Sequence, residues 1–140
     1  MHLTSHDNSD FSVTFTGKQC DLLSYVVEMM ISGFWSKFEK SGMCPASLTK
    51  KQAEYLRTRL SEVMDSQNFV EDGNLEVRLD LEFWSACFHI LVLALYGANL
   101  DDYEFRSLLG YSRTEIIPLL EELYPIYIKM LAIERRGGGA

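Results

Sequence analysis

Two short segments of the chain, 11–15 and 75–79, alternate apolar with polar residues, and a longer apolar run follows each of them. Alternation with a period of two predicts a β-strand that buries one face. After the first strand, apolar residues recur every three or four positions, which predicts an amphipathic helix from Gly17 to about Lys40. After the second strand, the run predicts an apolar helix over residues 81–98. The sequence thus contains two strand-then-helix units, whose strands we expect to pair with each other.

Side chains that favour helix starts precede the predicted helices. Thr16 and Gln19 have the spacing of a capping box, and Asp80 can cap the second helix. Between the two units, a further helix is predicted to begin near Ser47 or Thr49. Its predicted inner residues are Ala53, Leu56, Leu60, Val63 and Met64.

The last third of the chain is predicted to be a pair of helices. A short helix spans Asp101–Leu109, a turn follows at Gly110, and a longer helix begins at Ser112, which has capping-box spacing with Glu115. This longer pattern contains two prolines, and proline lacks the N–H that a helix interior requires.

We expect Pro118 to bend the longer helix or to shift its start. We expect Pro125 to separate it from a last helix over residues 126–134.

Together these elements predict a mainly α fold of the α+β class, a helical domain of about five helices with a small two-stranded antiparallel β element. Residues 1–10 are predicted to be a flexible leader, residues 11–134 the single globular domain, and residues 135–140 a flexible glycine-rich tail. Because a two-stranded sheet is marginal alone, we expect helices to cover it or a second subunit to extend it. A homodimer is therefore a candidate assembly.

Charge narrows the range of partners. The chain has 20 acidic and 13 basic residues and a formal net charge of -7. Such a balance repels phosphate backbones and anionic membranes and suits a basic protein. The polar first ten residues lack the pattern of a secretory signal, and the longest apolar run, 83–98, is shorter than the roughly 20 residues that span a bilayer. We therefore expect a cytoplasmic protein that does not enter membranes.

Residue types that carry catalysis or bind metals do not form a recognisable motif. Cys20, Cys44 and Cys87 are odd in number and have no CxxC spacing, so we expect reduced thiols, no disulfide and no zinc site. His89 lies in the most apolar helix with no second ligand at helical spacing, which favours a hydrogen-bonded core histidine. Phosphate-binding glycine loops and nucleophile elbows are absent. The sequence predicts no enzymatic activity, no cofactor and no metal.

Residues 103–123 partly match a helix-turn-helix. The residues at its inner, turn and cap positions are Phe105, Leu109, Gly110, Ser112, Ile116 and Leu119. Arg106 stands where the motif has a small residue, and Pro118 interrupts the would-be recognition helix. Arg106 and Arg113 are the candidate DNA-binding residues, but three glutamates on the second helix would face phosphates unfavourably.

A second pattern overlaps this one. After an apolar helix and an acidic turn, the chain has Glu104-Phe105, then Leu109-Gly110-Tyr111-Ser112-Arg113-Thr114-Glu115, and closes on Leu119-Leu120 with Leu123. In this arrangement residues 75–123 resemble a group of small, uncharacterised bacterial helical proteins. The resemblance implies a bacterial origin and a helical fold, and it implies no activity.

Tyrosines and acids concentrate in the same C-terminal region. Tyrosine rings supply contact area and carboxylates steer a basic partner, although tyrosines are equally common at the boundary of a core. The candidate partner-binding residues are Asp101, Asp102, Tyr103, Glu104, Tyr111, Glu121, Glu122 and Tyr124. We therefore predict a small acidic protein-binding protein that caps a basic partner, as an immunity protein or antitoxin caps a nuclease toxin. The alternative is a helix-turn-helix regulator or other nucleic-acid-binding protein.

Overall fold

A computed structural model of the chain describes residues 1–7, 10–36, 40, 48–67, 70, 72–97 and 101–138. The described part contains five α-helices and one three-stranded antiparallel sheet, so the predicted mainly helical character is confirmed. The strands are β1 (His2–Asp7), β2 (Asp10–Thr16) and β3 (Asn74–Asp80). The helices are α1 (Gly17–Met29), α2 (Lys50–Ser66), α3 (Leu81–Val92), α4 (Asp102–Leu109) and α5 (Arg113–Gly138).

The sheet has the strand order β1-β2-β3, and both pairs are antiparallel. The predicted pairing of β2 with β3 is confirmed, with Val13 opposite Val77 and Phe11 opposite Leu79. The apolar residues of both strands are buried, while those of β3 alternate with exposed charged residues. One face of the sheet therefore lies on the core, as the period of two predicts.

The prediction of a flexible leader and of only two strands is wrong for residues 2–7, which form β1. Its residues are mostly polar and exposed, so hydropathy shows no strand; main-chain pairing with β2, by contrast, does not depend on side-chain type. The register shifts between Leu3 and Ser5, where the Thr4 hydroxyl donates to the Ser12 carbonyl at 3.1 Å.

The predicted helix starts are confirmed at three caps. Thr16 and Gln19 exchange hydrogen bonds of 3.1 and 2.9 Å, and Thr49 forms the same capping box with Gln52 at the start of α2. The Asp80 carboxylate accepts from the Phe83 N–H at 3.1 Å. These caps orient α1 and α3 on the strands that precede them.

Helices α1 and α3, which each follow a strand, both end in a turn that is wider than an α-helical turn. A turn of π type spans Met30–Phe34 after α1, and another spans Leu93–Gly97 after α3. Gly33 lies in the first of these turns. The predicted continuation of the first helix to Lys40 includes residues 37–39, which lie outside the described residues, as does Cys44.

Helix α5 runs without a break through both prolines, so the prediction of a separate last helix after Pro125 is wrong. Pro118 and Pro125 are both exposed and seven residues apart, hence on one face of the helix. The carbonyls of Thr114 and Glu121, which lose their N–H partners, belong to exposed residues that water can reach.

The helix extends to Gly138, into the residues that were expected to form a flexible tail, and one finer prediction for its start is wrong. The Ser112 hydroxyl lies 2.8 Å from the Thr114 hydroxyl, and the Glu115 N–H donates to the Ser112 carbonyl, so the expected capping box does not form.

The core lies between the sheet and the helices. Trp84 of α3 is fully buried, stacks on Phe15 at 6.0 Å and donates its indole N–H to the Phe11 carbonyl at 3.0 Å. Of the inner residues predicted for α2, four are buried and Met64 is partly buried against the core. The described helices do not include one with the length and apolar character needed to cross a membrane.

The outer side of β3 is partly occupied by a side chain. The Gln67 carboxamide accepts from the Glu76 N–H at 2.9 Å and donates to the Glu76 carbonyl at 2.8 Å. Gln67 follows directly on α2, so these two bonds tie the end of that helix to the strand.

Candidate protein-binding surface

The first turn of α4 presents four of the predicted partner-binding residues to solvent. Asp101, Asp102, Tyr103 and Glu104 are all exposed, and Tyr103 is 83% exposed. Asp101 caps the helix by accepting from the Glu104 N–H at 2.8 Å. This hydrogen bond holds the pKa of Asp101 below its ordinary value, so the carboxylate stays charged at neutral pH. We call these four residues the acidic turn.

Arg113 fastens the acidic turn to the start of α5. Its guanidinium donates to Asp102 at 2.8 Å and to the Leu95 carbonyl at 2.9 Å, and it lies 4.6 Å from the centre of the Phe105 ring. The side chain is only 19% exposed. This candidate DNA-binding residue therefore makes contacts within the fold, whereas Arg106 is exposed.

Glu121 and Tyr124 line a separate hollow between α3 and α5. The hollow has a volume of about 360 Å³ and is completed by Phe88 and Leu120. Its floor is aromatic, because Phe88 stacks on Tyr127 at 4.8 Å and lies 5.8 Å from Tyr124. Tyr124 is 52% exposed. We call this site the α3–α5 hollow.

The other two predicted residues point elsewhere. Glu122 accepts from the Gln19 amide at 2.7 Å and lies 3.3 Å from the amino nitrogen of Met1. Tyr111 is half-buried and packs edge-on against Tyr25, with ring centres 5.4 Å apart. The structure thus divides the predicted set into the acidic turn, the α3–α5 hollow and two residues that contact α1.

Ion pairs on the described surface occur both within the C-terminal region, where Arg113 contacts Asp102, and outside it. Away from the C-terminal region, arginines lie beside acids: Arg57 with Glu28 at 3.2 Å, Arg59 with Glu62 at 3.5 Å and Arg78 with Asp7 and Asp10 at 3.6 and 3.4 Å. Residues 101–124 contain six acidic and two basic residues. The acidic turn and the hollow therefore lie in a stretch of net negative charge.

A polar groove between α1 and α2 was not predicted. It has a volume of about 550 Å³ and includes the acids Asp21, Glu28, Glu62 and Asp65. Two of them already pair with arginines of α2. The sequence showed these residues only as the solvated faces of two separate helices.

His89 lines a small hollow of about 230 Å³ with Glu82 and Ser85. Its Nδ1 lies 2.8 Å from the Ser85 carbonyl, which can only accept, so Nδ1 carries the proton. It therefore cannot remove the proton of the Ser85 hydroxyl, which accepts a hydrogen bond from Tyr127 at 2.9 Å. These three groups form an internal hydrogen-bond network without a nucleophile and base pair.

The two described cysteines are also poor nucleophiles. Cys20 and Cys87 are buried free thiols, and burial raises the pKa of each to about 12. Thiolates are the reactive form, so both side chains behave as small apolar groups at neutral pH. Within the described residues, histidines, cysteines and acids do not assemble into a group that could hold a metal ion.

Comparisons of the chain with protein-family models, curated proteins and solved structures found no match.

Proposed function

We propose that this chain is a small, acidic, cytoplasmic protein that binds a basic protein partner through the acidic turn and the adjoining surface of α5. Capping of a nuclease toxin by an immunity protein or antitoxin is the mode of action that we favour. The observation that carries the proposal is the exposure of Tyr103 among three exposed carboxylates.

Physical features of the acidic turn support a recognition role. A large side chain exposed to water brings little stability to the fold, yet it adds area and few rotatable bonds to an interface. The carboxylates around Tyr103 accelerate encounter with a cationic surface and disfavour acidic or phosphate-bearing partners. Arg113 holds the turn in place, so a partner meets a preformed surface.

Purification of the tagged protein from its native cells, followed by reconstitution with the recovered partner, tests the proposal. We expect a stoichiometric complex with a basic protein and an affinity that falls as salt rises. Tyr103→Ala should weaken the complex about tenfold or more, as is usual for an interface aromatic. Tyr55→Ala on α2 is the control for loss of a tyrosine away from the acidic turn; this residue is 49% exposed and its ring stacks on Phe83. Absence of any stoichiometric basic partner would refute the proposal.

A nucleic-acid-binding function is the second candidate, and the turn between α4 and α5 favours it. Gly110 has a φ of 76°, and Phe105, Leu109, Ile116 and Leu119 are buried as a helix-turn-helix requires. Gel-shift assays at low salt, where such binding is strongest, test it. A duplex shifted by the wild type and not by Arg106→Ala would favour this candidate over the first.

A further inference from the structure

The α3–α5 hollow combines an apolar floor with acceptors at its side. Phe88, Leu120 and Tyr124 supply the floor, and Glu121 supplies an exposed carboxylate. The described atoms place no ion pair on this carboxylate, whereas the neighbouring Glu122 contacts Gln19 and Met1. A charged acceptor thus borders a surface that is otherwise aromatic and aliphatic.

The main chain adds a second acceptor at the same residue. In a helix the Glu121 carbonyl would accept from the N–H of residue 125, but Pro125 has none. The exposed residue Glu121 therefore offers two acceptors. Among the described atoms its carboxylate has no ion pair, and its carbonyl lacks the N–H that residue 125 would donate in a regular helix. An apolar ligand would leave both groups without a hydrogen bond on desolvation, which is unfavourable.

We propose that the α3–α5 hollow binds a lysine or arginine side chain of the basic partner. The aliphatic stem lies on Phe88 and Leu120, the cationic head approaches the Tyr124 ring, and its N–H groups donate to the carboxylate and carbonyl of Glu121. The partner's identity as a basic protein rests on the proposed function, but the chemistry of the hollow can be tested without that partner.

A second copy of the chain fits this site less well. A twofold contact centred on the hollow would bring Glu121 of one protomer to Glu121 of the other, and like charges repel. The net charge of -7 opposes self-association further. Complementarity of charge therefore selects a cationic occupant.

Amide chemical shifts of the isotope-labelled protein, titrated with blocked amino-acid amides, provide the test. N-acetyl-lysine amide and N-acetyl-arginine amide should shift residues 120–124 and Phe88 saturably, with a dissociation constant of roughly 10 mM for so small a ligand. N-acetyl-norleucine amide, which has the stem without the charge, should bind about tenfold more weakly. N-acetyl-glutamate amide should cause no saturable shift at the hollow.

Two variants test separately the contributions of the Glu121 carboxylate and the Glu121 carbonyl to binding. Glu121→Gln should weaken binding of the lysine amide about tenfold, and Pro125→Ala, which restores the missing N–H, about threefold. Neither change should alter the binding of the norleucine amide. Glu115→Gln removes an exposed acid from the same helix outside the hollow and serves as the matched control, with no expected change.

Three results would overturn this proposal. Equal affinity for lysine and norleucine amides would mean that the hollow is only apolar. Shifts at the acidic turn without saturation at residues 120–124 would mean unspecific attraction. Shifts that appear when the protein alone is concentrated would mean that a second copy occupies the site. Lysine binding at the hollow without any basic partner in native cells would refute the proposed function and leave the hollow's chemistry intact.

Discussion

The strand-then-helix part of the molecule and its C-terminal helix pair differ in the side chains and carbonyls that they leave exposed to solvent. In the first part, the Trp84 indole, the Thr16 and Asp80 caps and the Gln67 carboxamide all bond to groups of the fold. In the second, Tyr103 and the Glu121 carboxylate face solvent, and Pro125 leaves a carbonyl without its helical donor. The first part has the features of a scaffold, and the second retains the hydrogen-bonding capacity that recognition needs.

Removal of a buried side chain from the strand-then-helix part should have the largest effect on stability. Trp84→Ala removes a fully buried ring and leaves the Phe11 carbonyl without its donor, so we expect the free energy of unfolding to fall by about 3–5 kcal/mol. Trp84→Phe keeps the stacking on Phe15 and should lose less. Urea denaturation followed by circular dichroism measures both, and equal losses would show that the stacked ring contributes nothing beyond the hydrogen bond that both variants lack.

Replacement of a proline in α5 should instead raise the free energy of unfolding. Pro125→Ala restores a helical hydrogen bond, and because proline disfavours a helix interior by about 3 kcal/mol, the free energy of unfolding should rise by up to that amount. Pro118→Ala is the matched variant on the same face and should behave alike. A loss of stability in both would mean that α5 depends on a bend at these residues.

A smaller effect is expected at the start of α1. Thr16→Ala removes one half of the capping box and should lower the free energy of unfolding by about 1 kcal/mol. Thr16→Ser keeps the hydroxyl and should therefore retain most of the stability that the alanine variant loses. The urea midpoints of the two variants decide the matter, and a serine as harmful as alanine would contradict the capping role.

The smallest expected effect is a pH dependence of the stability that Asp101 of the acidic turn contributes. The pKa of Asp101 is lower in the folded state, so its contribution to stability is present above the unfolded pKa and is lost as pH falls through the folded one. Asp101→Asn retains a capping oxygen without the charge. The free energies of unfolding of the wild type and the variant should differ slightly at neutral pH and become equal in acid. Urea midpoints at both pH values measure this difference. A difference that persists unchanged in acid would contradict it.

Local signals predicted much of the fold from sequence. The caps at Thr16 and Asp80, the inner residues of α2 and the strands β2 and β3 depend on neighbours within a few residues or on a simple period. The pairing of the two strands is long-range and was expected because both segments show the same alternation. β1 was missed because an exposed outer strand needs no apolar pattern. The break at Pro125 was predicted wrongly because solvent exposure, which makes an interior proline tolerable, is a tertiary property.

The candidate site was predicted residue by residue but not as an arrangement. Glu121 and Tyr124 were singled out for their chemistry, whereas the hollow also needs Phe88 of α3, more than thirty residues earlier. Arg113 was a DNA-binding candidate because sequence shows charge and not the contacts that engage it. Sequence therefore located the surface and could not give its geometry.

Gln67 also bears on how the protein behaves at high concentration. Strands at the border of a sheet can recruit further chains, since vacant main-chain groups act as a template for fibrillar growth. One carboxamide fills both vacant groups of Glu76, which removes a template position from β3. At Glu76 the border of the sheet is thus closed by a side chain and not by burial in the core.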